Sequence, residues 1–402
     1  MPTHSNNREH LPAASVPVRK TRPARVPIAE PTLPPFRQLE GDFRRVIGSG
    51  MLTNGDYTRS LERKMCEVTG AAACVAVSSC TSGLMLVVRA FGLDDEAEAI
   101  VPTFTWASTG HALVWNGVRP VFCDVDRDTC AMDVEMFERL IGPNTRAVLP
   151  VHPFGMPCSV DPILEIAERH GLRVLFDSAQ GLGSTYKGAS VGAAGDAEVF
   201  SLSPSKIVSA AEGGIIATGD LELAAELRRL RDYGKSADGQ DITDFGLSAR
   251  MPELGAVIAL HSLETLAERA EERRARLERY RENLSQVAGV RFQTVPDDRT
   301  TTATHVVVFV DSNTLNITRD RLAAALELRG IQTRKYFHPC LHEQAAYRSI
   351  ASGVSLPVSE ELSKTGLALP MFTHLGLDAI DHVCEQLMRE LEDAWARPAL
   401  AS

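Results

Sequence analysis

The sequence predicts an α/β fold: a large domain with a mostly parallel sheet flanked by helices, followed by a smaller C-terminal α+β domain. Three observations carry this expectation. Short apolar runs alternate with helical stretches from Ala72 to Thr218, the pattern of strands joined by crossover helices that cover both sheet faces. Beyond Leu254 the pattern turns strongly helical and then mixed. The chain has 402 residues, 44% of them hydrophobic and 23% charged, enough for more than one core.

The elements follow in order. Residues 1 to 35 are rich in proline and polar groups, with a basic cluster at Arg19, Lys20, Arg22 and Arg25, and are expected to form a disordered tail. Helical signals cover 38–46 and 57–66. A strand at 72–77 breaks at Ser78-Ser79-Cys80-Thr81-Ser82-Gly83, and a helical apolar run follows at 84–90. Strand, small-residue turn, helix is the arrangement that points backbone N–H groups at an anion. Strands are then expected at 99–102, 120–125, 147–151, 174–177, 198–202 and 214–218, with helices at 106–115 and 163–170. Helices are read at 221–233 and, as one long stretch, at 254–284, whose run Glu271-Glu272-Arg273-Arg274-Ala275-Arg276 is most simply a solvated face. The C-terminal part reads as strand 304–310, helix 319–329, strand 331–337 and a closing helix 377–395. The domain division is placed at 36–255 for the large domain and 256–402 for a linking helix and the small domain.

Composition narrows the function. A formal net charge of -10 argues against nucleic acid as a partner, which calls for a basic surface. No apolar run approaches the length needed to span a bilayer, so no membrane partner is expected. The N-terminus lacks an apolar signal core. The 8 cysteines are scattered without paired spacing, which fits reduced thiols and a cytoplasmic location.

Lys206 carries the main chemical reading. It sits in Phe200-Ser201-Leu202-Ser203-Pro204-Ser205-Lys206, shortly before Glu212-Gly213-Gly214. A surface lysine at a helix start describes most lysines. A desolvated one, however, loses its proton and attacks a carbonyl carbon to form a Schiff base. Ser201, Ser203 and Ser205 alternate, so they share one face and suit a phosphate or, equally, a polar strand end. Asp177 ends a buried strand, where a carboxylate is expensive unless paired. It reads either as a helix N-cap or as the partner of a protonated ring nitrogen. Strand-end aspartate and reactive lysine together are what pyridoxal 5'-phosphate needs: a carboxylate for the ring nitrogen and an amine for the aldehyde. Gln180 can turn towards the same ring and its phenolic oxygen. Trp106, just past a strand end, is either core or a shelf for an aromatic ring. Thr81 and Ser82 are candidates for the phosphate cradle.

These motifs, in this order, resemble the DegT/DnrJ/StrS family of sugar aminotransferases, which are fold type I enzymes that use pyridoxal phosphate. The resemblance runs from about Phe36 to the C-terminus and includes Tyr336-Phe337-His338-Pro339 and Leu356-Pro357-Val358. It implies a seven-stranded type of sheet in the large domain. It also implies that Lys206 holds the cofactor covalently and moves protons, Asp177 pairs the ring nitrogen, Gln180 meets the phenolic oxygen and Trp106 stacks on the ring. Ser201, Thr81 and Ser82 would bind the phosphate. Family members are homodimers with shared active sites, so the segment Gly246-Leu247-Ser248-Ala249-Arg250-Met251 would bring Ser248 to the partner's phosphate.

Some positions depart from the family pattern. Cys80 stands where a glycine is usual, Ser248 replaces an asparagine, Ala249 an aromatic, and Pro252 and Gly255 also differ. His338, Cys340 and His342 alternate like metal ligands, but no second pair has suitable spacing, so no metal is expected. The function expected is transamination of a keto sugar, nucleotide-linked as in a dTDP-keto-deoxyhexose, with glutamate or glutamine as amino donor, in amino-sugar biosynthesis. The alternatives are a non-catalytic pyridoxal-phosphate-binding regulatory or partner protein, and an aminotransferase of a free cyclitol ketone.

Overall fold

The computed structural model describes residues 25–93 and 96–396. Its strands are β1 (Ala73–Val77), β2 (Glu98–Pro102), β3 (Arg119–Cys123), β4 (Thr145–Val148), β5 (Arg173–Asp177), β6 (Thr185–Tyr186), β7 (Ala189–Ser190), β8 (Ala197–Ser201), β9 (Gly214–Thr218), β10 (Val290–Phe292), β11 (Arg299–Thr300), β12 (Val306–Val310) and β13 (Gly366–Leu369). Seven of them form the central sheet in the order β1-β9-β8-β5-β4-β2-β3. All neighbours pair parallel except β9, which runs antiparallel to both β1 and β8. β1, β8 and β9 are buried along their whole length, as strands covered on both faces must be.

That topology positions the site. The C-terminal ends of β1, β2, β5 and β8 share one edge of the sheet, and the reversed β9 begins at that edge with Gly214. Between β1 and β2 the chain crosses from one side of the sheet to the other, which opens the crevice where open α/β sheets bind ligands. Helices Cys80–Ala90 and Leu221–Leu230 close one face with Leu84, Val87, Ala224 and Leu227. Helices Asp56–Thr69 and Glu253–Leu263 close the other with Leu61, Met65, Ala256 and Ala259. A second core gathers Leu277, Tyr280 and Leu284 with β10, β12, β13 and the helices Arg319–Leu328 and Leu377–Ala396. Its sheet is antiparallel, in the order β10-β12-β13.

Several expectations need correcting. The long helix expected at 254–284 is two, Glu253–Leu263 and Leu266–Leu284. The break at Thr265, whose ψ is 18°, precedes the passage of burial from the large core, which still takes Leu266 and Ala270, to the small one, which begins at Leu277. The first helix is therefore part of the large layer, and buried Glu253 accepts the amides of Gly55, Tyr57 and Thr58 at 2.9 Å each, capping the helix Asp56–Thr69. No strand forms over 331–337; only Ile331 and Arg334 make single bridges, to Val26 and Ala368. The partner of β12 is instead β13, which follows the helix Pro357–Thr365 with proline in its first turn. The expected tail lies outside the described residues up to 24, but its last part is held in place. Val26 pairs with Ile331, Met371 donates to the Ile28 carbonyl at 3.0 Å, and Arg269 donates to that of Thr32 at 2.9 Å.

Candidate active site

The turn after β1 becomes a helix start through a reciprocal cap. The Ser79 hydroxyl accepts from the Ser82 amide at 3.1 Å, while Ser82 Oγ accepts from the Ser79 amide at 3.1 Å. This leaves the helix's first amides facing the crevice with the positive end of its dipole. The glycine beyond Lys206 has a steric reason to be there. A Cβ on Gly214 would stand 2.7 Å from the Cys80 nitrogen and 2.7 Å from the Ser79 carbonyl carbon. Gly83 does the same for the helix, because a Cβ there would meet Val199 Cγ1 at 2.8 Å. Small residues let the turn settle directly on β8 and β9.

Asp177, at the end of β5, is only 4% exposed. Its Oδ2 accepts from Thr109 Oγ1 at 2.7 Å and its Oδ1 from the Ala179 amide at 3.1 Å. Thr105 Oγ1, 3.0 Å from Thr109 Oγ1, completes a hydroxyl chain that runs towards the carboxylate. Burial pushes the Asp177 carboxyl above its usual range, against the lowering effect of Thr109, the Ala179 amide and the Lys206 and His152 charges. A carboxylate held in that state gains from a cation placed beside it. Behind it, His152 stacks on Phe176 with centroids 5.4 Å apart. The Cys158 amide lies 3.1 Å from His152 Nδ1, and Nε2 faces Glu198 at 3.7 Å; against the lowering by burial, Cys158 and Glu198 push the ring up to about 10.

Lys206 is half-buried at the mouth of β8, its amide donating to the Ser203 carbonyl at 3.0 Å. Burial pushes its ammonium below the usual amine range; Cys80 and Asp177 act against that shift, and Arg273 adds to it. Lys206 and Asp177 line one cavity of about 290 Å³ together with Ser79, Cys80, Thr81, Trp106, Gln180 and Ser201. Ser203, Ser205 and Glu212 also line it. Gln180 is oriented by the Phe154 amide, which donates to its Oε1 at 2.7 Å and so directs the NH₂ end elsewhere. Trp106 precedes the helix Ala107–Val114 and is 61% exposed, on the cavity wall. A cationic aromatic ring bearing a phosphate fits this donor set: a buried carboxylate, the amides of a helix start, and a half-buried amine.

Two sequence-derived candidates stand apart from the cavity wall. Ser82 spends its hydroxyl on the cap and on Ser78 and Ser79. Ser248 is exposed, and its neighbour Ala249 accepts from the Ser78 amide at 2.8 Å, so this segment docks beside its own chain's cradle. Conversely, the wall includes His305, just before β12, and Tyr336 and Phe337, to which the sequence reading gave no role at this site. Burial, with Lys206 and Arg273 nearby, pushes His305 well below the usual imidazole range. Only spatial neighbourhood identifies it; nothing local in Thr304-His305-Val306 marks a site. His338, Cys340 and His342 each face a different partner, Ser363, Ser359 and Thr103.

Comparison with known proteins bears on the same arrangement. The model of the DegT/DnrJ/EryC1/StrS aminotransferase family matches residues 37–388. The chain belongs to this family. Among solved members, DesI, crystallised with its TDP-sugar product, shares 35% identity at a TM-score of 0.86, covering 93% of this chain and 96% of that one. DesV of S. venezuelae, in complex with a ketimine intermediate, shares 30% identity at 0.83, covering 89% and 95%. The aminotransferase TlmJ of Streptoalloteichus hindustanus shares 30% at 0.86, covering 92% and all of the other chain. This member of the DegT/DnrJ/EryC1/StrS family is thus a sugar aminotransferase, and its largely parallel sheet is that of the family's solved structures.

Proposed function

We propose that the protein transfers an amino group from glutamate or glutamine to a keto sugar carried on a nucleotide, in amino-sugar biosynthesis, with pyridoxal 5'-phosphate as cofactor. The observation that carries this reading is the shared cavity of Lys206 and Asp177, an amine that burial pushes below its usual range opposite a carboxylate that burial pushes above its own. When bound, the cofactor supplies an aldehyde for the amine and an electron sink for the carbanion formed next to nitrogen. Lys206 is the group that bonds to it and moves the proton at the reacting carbon. Asp177, held by Thr109 and Ala179, pairs the ring nitrogen, and Gln180 offers its NH₂ to the phenolic oxygen. Trp106 covers a ring face. Ser201, Thr81 and the amides of the turn bind the phosphate, with Ser82 shaping that turn through its cap.

A nucleotide-linked substrate is supported by the likeness to DesI and DesV and by space. The cavity shares Trp106, Tyr336 and Phe337 with a wider cleft of about 770 Å³, which Arg334, Lys335 and His338 also line. The Arg334 and Lys335 cations suit a diphosphate. A homodimer is supported by a groove at which Trp115 and Phe245 stand exposed, alongside the segment that carries Ser248.

The test is a pair of half-reactions. Glutamate or glutamine alone should convert the cofactor-loaded protein and release the matching keto acid. Addition of a TDP-4-keto-6-deoxyhexose should then yield an amino sugar, read by mass spectrometry. Conversion by an amino donor with no sugar ketone accepted would remove the nucleotide-sugar reading. Cofactor binding without conversion by any donor would favour a regulatory protein.

A further inference from the structure

Among the described residues, five histidines are buried or half-buried, and four of them spend a ring nitrogen on a polar partner. His111 meets the Tyr347 hydroxyl at 2.7 Å, His152 the Cys158 amide at 3.1 Å, His261 the Asp42 carboxylate at 2.8 Å and His342 the Thr103 hydroxyl at 2.7 Å. The fifth is His305, on the wall of the cavity that holds Lys206 and Asp177. Its backbone amide donates to the Phe154 carbonyl at 3.4 Å, but its ring has neither a hydrogen bond nor an ion pair among the described residues. The ring is flanked instead by those of Tyr336 and Phe154, with centroids at 4.7 and 6.4 Å. Neither of its nitrogens is among the side-chain atoms that are sealed away without a partner, so the imidazole opens to the cavity it lines. A polar group in such a place costs stability unless the occupant of the cavity supplies the bond.

Two features say what that occupant offers. The first is where the ring comes from. Thr81, Trp106, Asp177, Ser201 and Lys206 all lie between β1 and β9, whereas His305, Tyr336 and Phe337 reach the cavity from beyond β11. Tyr336 and Phe337 continue into the wider cleft, so this wall meets whatever enters through it. The second feature is the ring's charge. Burial, then the Lys206 and Arg273 charges, hold His305 well below the usual imidazole range; Cys80, Asp177, Glu212 and Tyr336 are the other titratable groups on the wall. A neutral imidazole carries one donor and one acceptor. That pair matches a hydroxyl, which both accepts and donates. A carboxylate only accepts, and is better served by a cation.

We propose that His305 is a specificity-determining residue, whose ring binds the sugar hydroxyl next to the reacting ketone. Because His305 and Lys206 line one cavity, the hydroxyl it meets is one close to the reacting carbon. This rests on the sugar-transamination reading above and adds which wall reads the sugar and which group it reads. A sugar without that hydroxyl leaves the imidazole unpaired, so the site discriminates against the deoxy analogue.

The test compares two sugars on the full chain, loaded with pyridoxal phosphate and first converted with glutamate. The probes are a TDP-4-keto-6-deoxyhexose and the same sugar without the hydroxyl next to the ketone, with amination followed by mass spectrometry as kcat/KM. The unaltered chain should favour the hydroxylated sugar by about tenfold or more. His305→Phe keeps a flat ring between Phe154 and Tyr336 but no polar atom. It should lower kcat/KM for the hydroxylated sugar by about tenfold and remove the preference. Equal use of the two sugars by the unaltered chain, or a preference that survives in His305→Phe, overturns the proposal. So does a larger loss in the glutamate half-reaction than in the sugar one, which would put the ring on the donor's carboxylate. If His305→Phe does not fold, ¹⁵N NMR of the unaltered chain decides. The His305 ring signals should move further with the hydroxylated sugar than with the analogue; equal responses overturn the proposal. A chain that is converted by glutamate but aminates neither sugar removes the nucleotide-sugar reading itself, and this proposal with it.

Discussion

At the scale of single residues, what distinguishes this site is a carboxylate and an amine that burial pushes towards their neutral forms. Asp177 is raised and Lys206 lowered, each chiefly by loss of water. Asp177→Asn keeps the shape and removes the charge. Loss of a charged hydrogen bond of about 1.5–3 kcal/mol predicts cofactor binding weaker by about ten- to hundredfold, read by fluorescence titration. Unchanged affinity would show that Asp177 does not meet the ring. Both residues were legible in the sequence because each lies where an apolar run ends among small polar residues, a local signal. Arg273, which is 1% exposed, and His305 were not. The first sits inside a charged run whose composition says solvent, and the second in a strand start whose partners come from elements far away in sequence. Ser82 was legible as part of the cradle, but its hydroxyl goes to the cap, an allocation that only the backbone geometry reveals.

Among the elements, the turn from β1 into Cys80–Ala90 does the positioning, and its glycine neighbours set its depth. Gly214→Ala places a methyl against backbone atoms of Ser79 and Cys80, which cannot rotate away. A stability loss of about 1–3 kcal/mol is expected from such overpacking, with weaker phosphate binding, measurable by urea unfolding and by titration with inorganic phosphate. A fully stable Gly214→Ala protein would mean that the turn is softer than its contacts indicate. The alternation of strands and helices in the large domain was readable because strands buried on both faces are continuous apolar runs. The small domain was harder. β13 is only four residues long and follows a short helix directly, and Ile331 to Phe337 has strand-like composition without a neighbour to pair with beyond two bridges. Pairing is a property of the partner, which composition does not carry.

For the whole molecule, one reversed strand and one crossover gather the segments onto a single edge, so residues from Ser79 to Phe337 line one cavity. Trp115 and Phe245 are 75% and 86% exposed on a common groove, two large apolar side chains placed where a partner could cover both. A dimer is expected in sedimentation, and Phe245→Asp should weaken it by about 2 kcal/mol or more, the usual cost at an interface anchor. A monomer with full activity would contradict the shared-site reading. The central claim is that Lys206 is the residue that bonds the cofactor. Borohydride treatment of the pyridoxal-phosphate-loaded protein, then digestion and mass spectrometry, tests it most directly. The account predicts one phosphopyridoxyl group per chain, on the peptide containing Lys206; a group on another lysine, or none, would contradict it.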